Sequence, residues 1–243
     1  MLGHCQHKEL KAHYIARHDK AMRKVIKEVM KGRSGGHYII ADVGQLEGLR
    51  ELGVHSKRIP EFVLPDGNLP QSYMVAYKAE SDNDAQQTRS KLRPDMMIVE
   101  MSTAEYEEYT QHDTMVPLCP TMPNGKPRKV WVAEAGYCSD TMYEDKLKEK
   151  ELQHRHLQEA LSNYGYEVIA VPIILGFYGT IFTTAVQSAH TLGLERVRVN
   201  RLMNALHAHA ITSLHTIVKL RRRLERCPTS KRRTRFKRKK DPP

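Results

Sequence analysis

Two short apolar runs, each bounded by a carboxylate, constrain this chain more than any other feature. In Arg93-Pro-Asp-Met-Met-Ile-Val-Glu100, residues Met96 to Val99 predict a short buried strand with Asp95 at its entrance. In Lys129-Val-Trp-Val-Ala-Glu-Ala-Gly-Tyr-Cys-Ser-Asp140, residues Val130 to Ala133 predict a second strand with Glu134 at its exit. Thr141-Met-Tyr-Glu144 has the form of a capping box, so an uninterrupted charged helix is expected from there to about Tyr164. That helix carries Lys146, Lys148 and Lys150. Two carboxylates on adjacent strands and a lysine on the next element can hold a divalent cation and a polarised water, which is the chemistry of phosphodiester hydrolysis.

The ordered set Arg93-Pro94-Asp95, Glu134 and Lys150 resembles the PD-(D/E)XK nuclease signature. A narrower resemblance is to the restriction-like endonuclease domain of R2-type non-LTR retrotransposon proteins. It rests on Ala133-Glu-Ala-Gly-Tyr-Cys-Ser-Asp140, on Lys146-x-x-Glu149-Lys150, and on Arg17-His18-Asp19 in the first helix, and spans roughly Cys5 to Glu225. The resemblance implies an α/β fold with a restriction-endonuclease-like core of a helix, a small mixed sheet and flanking helices. It implies that Asp95 and Glu134 ligate Mg²⁺ or Mn²⁺, with the backbone carbonyl of Ala135 as a third ligand. It also implies that Lys150 orients the attacking water and offsets phosphate charge. Lys146, one turn earlier on the same face, is the fallback. Arg17, His18 and Arg93 would lie near the DNA, with a structural role as the other option for the first two. The third position of the D/E-x-K triplet is Gly136, a departure that the subfamily meets by placing its lysine on the following helix. The 39 positions from Asp95 to Glu134 mark an insertion between neighbouring strands.

On this reading the chain nicks target DNA in the nucleus to serve target-primed reverse transcription. Its partners are the target DNA, the element's RNA as a second candidate, and an upstream reverse transcriptase region if the chain belongs to a longer protein. The alternative is a decayed remnant that binds nucleic acid through a basic tail without cleaving it. A third class is a helical interaction protein that pairs through the apolar stripe of its final helix.

Charge separates the tail from the body. The net charge is +11, yet residues 219–243 hold 13 Lys/Arg against Glu225 and Asp241, leaving 26 basic and 26 acidic residues elsewhere. Lys231, Arg232, Arg233, Arg235, Lys237, Arg238, Lys239 and Lys240 therefore predict a disordered, phosphate-binding tail. Cys5, Cys119, Cys138 and Cys227 form no CxxC pair, so neither a complete zinc site nor a disulfide framework is legible, and a reducing compartment follows. The resemblance makes His4-Cys5 the remnant of an upstream zinc knuckle; read alone, they are two unpaired terminal residues. Met1 to Cys5 leads straight into a charged helix, so no signal peptide is expected. Val168 to Leu194 lacks Asp, Glu, Lys and Arg, but Pro172, Gly176 and Gly179 interrupt it, which favours a buried strand, loop and helix over a membrane span.

The remaining pattern predicts a helix over Glu9–Lys31, a strand over His37–Val43 and one or two helical turns over Gln45–Leu52. His55 to Asp66 reads as an irregular surface excursion and Leu69 to Arg93 as a loop. A strand is expected over Glu167–Leu175, at an edge or bulged at Pro172, then helices over Thr180–Thr191 and Glu195–Arg226. The second of these carries His207, His209 and His215, which read as polar residues at the core's edge more readily than as metal ligands. The domain boundaries are 1–6 for the knuckle remnant and 7–193 for the nuclease-like domain, with loop insertions at about 54–92 and 102–128. A C-terminal helical extension follows at 194–227, and the basic tail at 228–243.

Overall fold

The computed structural model describes residues 8–32, 36–44, 47–51, 53–70, 92–111 and 116–226. Seven helices are described: α1 (Lys8–Gly32), α2 (Glu47–Arg50), α3 (Thr103–Gln111), α4 (Tyr143–Gln153), α5 (Arg155–Tyr164), α6 (Thr183–Thr191) and α7 (Arg196–Arg226). Five strands are described: β1 (His37–Ile40), β2 (Val54–Ser56), β3 (Met96–Glu100), β4 (Lys129–Cys138) and β5 (Glu167–Gly176). They form one mixed sheet in the order β2-β1-β3-β4-β5. β3 is antiparallel to both β1 and β4, whereas β1–β2 and β4–β5 are parallel.

Both faces of this sheet are covered, which is why its strands read as continuous apolar runs. Side chains alternate along each strand. Met96, Ile98, Trp131, Ala133 and Ala135 join Met22, Val25, Ile26 and Val29 of α1 in one core, together with residues of α6 and α7. Met97, Val99, Val130 and Val132 face the other way, onto Leu157 and Leu161 of α5 and onto Phe62, Val63 and Leu64. The stretch after β2 is thus irregular but not a surface excursion, because Ile59, Phe62, Val63 and Leu64 are buried.

One irregularity of the sheet positions the candidate site. The β3–β4 ladder ends at Met96↔Ala133, while the β4–β5 ladder continues to Cys138↔Gly176. β4 therefore runs five residues beyond its last partner on β3, and a notch opens on that side. Asp95 immediately precedes β3, and Glu134 immediately follows the last residue of β4 that pairs with β3. Pro172 lies opposite Glu134 on β5, an edge strand where its missing N–H disrupts no outer ladder.

Several local expectations are corrected. No side-chain capping bond forms at Ser139, ahead of the 3-10 turn Asp140–Met142, or at Met142, ahead of α4. The helix expected to run on to Tyr164 breaks at His154 (φ −117, ψ 27), giving α4 and α5. A reciprocal box occurs instead at Ser102-Thr-Ala-Glu105. The Ser102 N–H donates to Glu105 Oε2 at 2.8 Å and the Glu105 N–H donates to Ser102 Oγ at 3.3 Å. It opens α3 inside the segment expected to be a plain insertion. The apolar stripe of α7 is used internally, since Val199, Leu202, Met203 and Leu206 enter the core with α1, and Ile217 and Leu220 meet Leu10. Among the described residues no helix is long and apolar enough to cross a membrane. The knuckle remnant, the loop 71–91 and the basic tail from Lys231 to Lys240 lie outside the described residues.

Candidate active site

The notch brings Asp95 and Glu134 together through two backbone bonds. The Asp95 N–H donates to Glu134 Oε1 at 3.0 Å, and the Ala135 N–H donates to Asp95 Oδ2 at 2.8 Å. Each carboxylate carries a histidine as well. His18 Nε2 stands 2.9 Å from Asp95 Oδ2, and His154 Nε2 stands 2.8 Å from Glu134 Oε1. Lys150 Nζ lies 3.3 Å from Glu134 Oε2 and donates to Gln153 Oε1 at 2.6 Å. One oxygen of each carboxylate is thus held by two N–H donors. Asp95 Oδ1 carries no protein hydrogen bond among the described residues.

Burial alone would push the Asp95 carboxyl up. The hydrogen bond and charge of His18 outweigh it, with help from the Ala135 N–H and the Lys150 charge, and Asp95 sits below the usual carboxylate range. Burial likewise pulls His18 down, but the bond to Asp95 and its charge prevail, so His18 is raised. Both shifts favour the ion-paired form of the two groups.

Gly136 explains how a lysine from a helix reaches this strand. A Cβ at position 136 would stand 3.1 Å from Lys146 Cε and 3.2 Å from Lys150 Cε. The methylene stems of both lysines cross the space that a side chain on β4 would fill. Only the Lys150 ammonium turns to Glu134; Lys146 pairs with Glu149 on its own helix.

The other residues expected at the site are placed as follows. Arg17 is 2% exposed, so its guanidinium lies inside the fold and not on its surface. The group lies 3.9 Å over the Tyr137 ring and donates to the Phe177 carbonyl at 2.7 Å. It pins α1 to the end of β4 and thereby sets the helix rotation that aims His18 at Asp95. Arg93 reaches Asp42 at 3.5 Å. The Ala135 side chain is buried, and its N–H is the group that touches Asp95. His154 was not expected. It sits in a charged stretch with neither Gly nor Pro to mark the break. The one hint was that the apolar pattern is weak before it and strong after it, at Leu157, Ala160 and Leu161.

Two carboxylates offer hard oxygen donors that suit Mg²⁺, an ion that keeps several waters of its own. Among the described residues no group of three His, Cys, Asp or Glu side chains is placed to hold a metal.

His209 gives a check on the α1–α7 junction that supports the site. Its Nε2–H donates to the Arg17 carbonyl at 2.9 Å. Burial holds its pKa below the ordinary value; the bond to Arg17 opposes this, and the charges of Lys24, Arg17 and Lys20 add to it. The unfolded chain then takes up a proton near pH 6.5, before the folded one does. Stability should fall as pH drops through that value and level off below the folded pKa. The slope is at most about 1.4 kcal/mol per pH unit, reduced here because the ring is only partly buried. In urea unfolding at pH 7.5 and pH 5.5, His209→Gln should narrow the difference between the two; an unchanged difference would remove His209 as the source.

No family model matches the chain, and no curated protein or solved structure gives a match. What the site can do is then a matter of its own geometry.

Proposed function

We propose that the chain is a metal-dependent endonuclease that nicks DNA, the restriction-like nuclease of a non-LTR retrotransposon protein. The observation that carries this reading is the Asp95–Glu134 carboxylate pair in the notch between β3 and β4, with the Lys150 ammonium on it. Asp95 and Glu134, with the Ala135 carbonyl, would hold Mg²⁺ or Mn²⁺. When bound, the ion supplies Lewis-acid stabilisation of phosphate charge and a more acidic water. His18 and His154 hold one oxygen of each carboxylate; Asp95 Oδ1 is left without a protein hydrogen bond among the described residues, and Glu134 Oε2 faces Lys150. Lys150 places a positive charge where negative charge builds on the phosphate oxygens. Target DNA, the element's RNA, an upstream reverse transcriptase region and nuclear action belong to the same proposal.

A second reading is favoured by one observation. Both oxygens of Glu134 already have protein partners, as a purely structural ion-pair network would provide. The chain would then be a nucleic-acid-binding remnant without cleavage. Purified chain with supercoiled plasmid at low salt separates the two. Nicking is expected with Mg²⁺ and not with EDTA, and Lys150→Ala should slow it by about 10²-fold, the scale of losing one transition-state donor. Nicking that Lys150→Ala leaves unchanged would move the chemistry elsewhere. Absence of both nicking and calorimetric Mn²⁺ binding would favour the remnant.

A further inference from the structure

Beside the notch stands a second cluster of charge that the carboxylate site does not use. Asp42 follows β1 at the end of the sheet where Asp95 enters β3, because Ile40 pairs with Met97 in the antiparallel ladder. Lys57 Nζ lies 3.9 Å from Asp42 Oδ1 and Arg93 Nη1 lies 3.5 Å from Asp42 Oδ2. Lys57 also donates to the Gly44 carbonyl. The Arg23 guanidinium, from α1, occupies the place a side chain at Gly44 would need. Gly44 has φ +66, so the backbone there is one that glycine tolerates, and the cation can close over it.

Two cations therefore share Asp42, and a third, Arg23, stands beside them at Gly44. Arg23 has no carboxylate partner among the described residues. Nε of Arg23 and Nε of Arg93 are both buried and have no hydrogen-bond partner among the described residues. Buried donors of this kind are ordinarily satisfied, and an unsatisfied charged donor calls for an explanation. The side chains are still reachable from solvent, with Lys57 31% and Arg93 36% exposed. A tetrahedral oxyanion would supply acceptors to planar guanidinium forks and balance the excess positive charge.

We propose that Arg23, Lys57 and Arg93 form a phosphate-binding subsite that grips a backbone phosphate of nucleic acid flanking the Asp95–Glu134 notch. Arg93 ties the two sites, since only Pro94 separates it from Asp95. Asp42 orients Lys57 and Arg93 and competes with the incoming phosphate. That the phosphate belongs to a polynucleotide rests on the nuclease reading; the anion site itself does not.

The test uses the full chain and a fluorescently labelled random-sequence duplex, titrated across salt concentrations in EDTA. Cleavage is silenced there, so failure of the nuclease reading leaves the measurement intact. Each phosphate neutralised contributes about 0.9 to the log–log salt slope. The triple variant R23Q/K57Q/R93Q should lose about one unit of slope and bind more weakly at every sequence. Asp42→Asn should bind more tightly, the opposite of what loss of a merely structural acid would do. Arg93→Lys in the same assay keeps the charge and should retain the wild-type slope, which separates charge from folding. Wild-type slope and affinity in the triple variant would overturn the proposal. So would a wild-type slope in the triple variant combined with a thermal shift by inorganic phosphate that only the wild type shows, since the site would then serve a free anion.

Discussion

Asp95→Asn and Glu134→Gln are each expected to lower metal-dependent plasmid nicking by about 10³-fold or more. On the proposed function each would remove a charged metal ligand, and metal stabilisation of the transition state is worth several kcal/mol, at tenfold for each 1.4 kcal/mol. The isosteric amides are preferable to alanine here. Glu134 is 4% exposed and holds the Asp95 N–H, His154 and Lys150, so alanine would strand three buried donors at once. With the amides, far-UV circular dichroism should stay at wild-type values while activity disappears. Nicking that survives equally in both variants would trace the activity to another site or a contaminant.

Arg128→Ala should be the most destabilising single change away from the notch, by about 3–5 kcal/mol. Arg128 is 0% exposed. Its guanidinium spends its donors on the Glu105 carboxylate at 2.7 and 3.2 Å, the Glu100 carbonyl at 2.6 Å and the Cys119 carbonyl at 2.8 Å. One side chain thus joins the end of β3, the start of α3 and the turn before β4. Burial alone would raise Glu105; the Arg128 bond, together with Ser102, holds it below the usual carboxylate range. Alanine leaves that carboxylate and two carbonyls without their donor. Lysine cannot reproduce the fork, so Arg128→Lys should recover little. Arg155→Ala is the control: Arg155 is 65% exposed in its pair with Glu159 and should change stability by no more than about 0.5 kcal/mol. Urea unfolding gives the numbers, and a loss under about 1 kcal/mol in Arg128→Ala would mean the network does not hold in solution.

The strands around the notch were legible because burial on both faces leaves an apolar run in the sequence, and Met96–Val99 shows it. The length of β4 was not, since Glu134, Gly136 and Tyr137 interrupt the apolar run where pairing with β5 continues. Asp95, Glu134 and Lys150 could be picked out from their order along the chain. His18 was singled out with them through the resemblance, but not its bond to Asp95 across 77 positions, and His154 was missed because it depends on a helix break with no Gly or Pro to announce it. The two capping boxes show the same limit. Thr141-x-x-Glu144 and Ser102-x-x-Glu105 are equivalent as patterns, and only the second has a buried arginine across from it to fix its glutamate. Arg17 looked like a DNA contact because nothing local distinguishes a buried guanidinium from an exposed one; the rings that receive it lie 120 and 160 positions away.

The lysine's placement on α4 instead of β4 separates the site into parts of unequal persistence. Asp95 and Glu134 are fixed by the central strands, whereas α4 buries none of its residues. Transient local opening of such a helix requires far less free energy than unfolding the sheet. When α4 opens, the Lys150 ammonium leaves Glu134 while the two carboxylates keep their spacing through the Asp95 and Ala135 amides. A lysine carried on the strand itself would have no such freedom; here the built-in cation belongs to a surface helix and the carboxylates to the sheet, so they can part without unfolding the core.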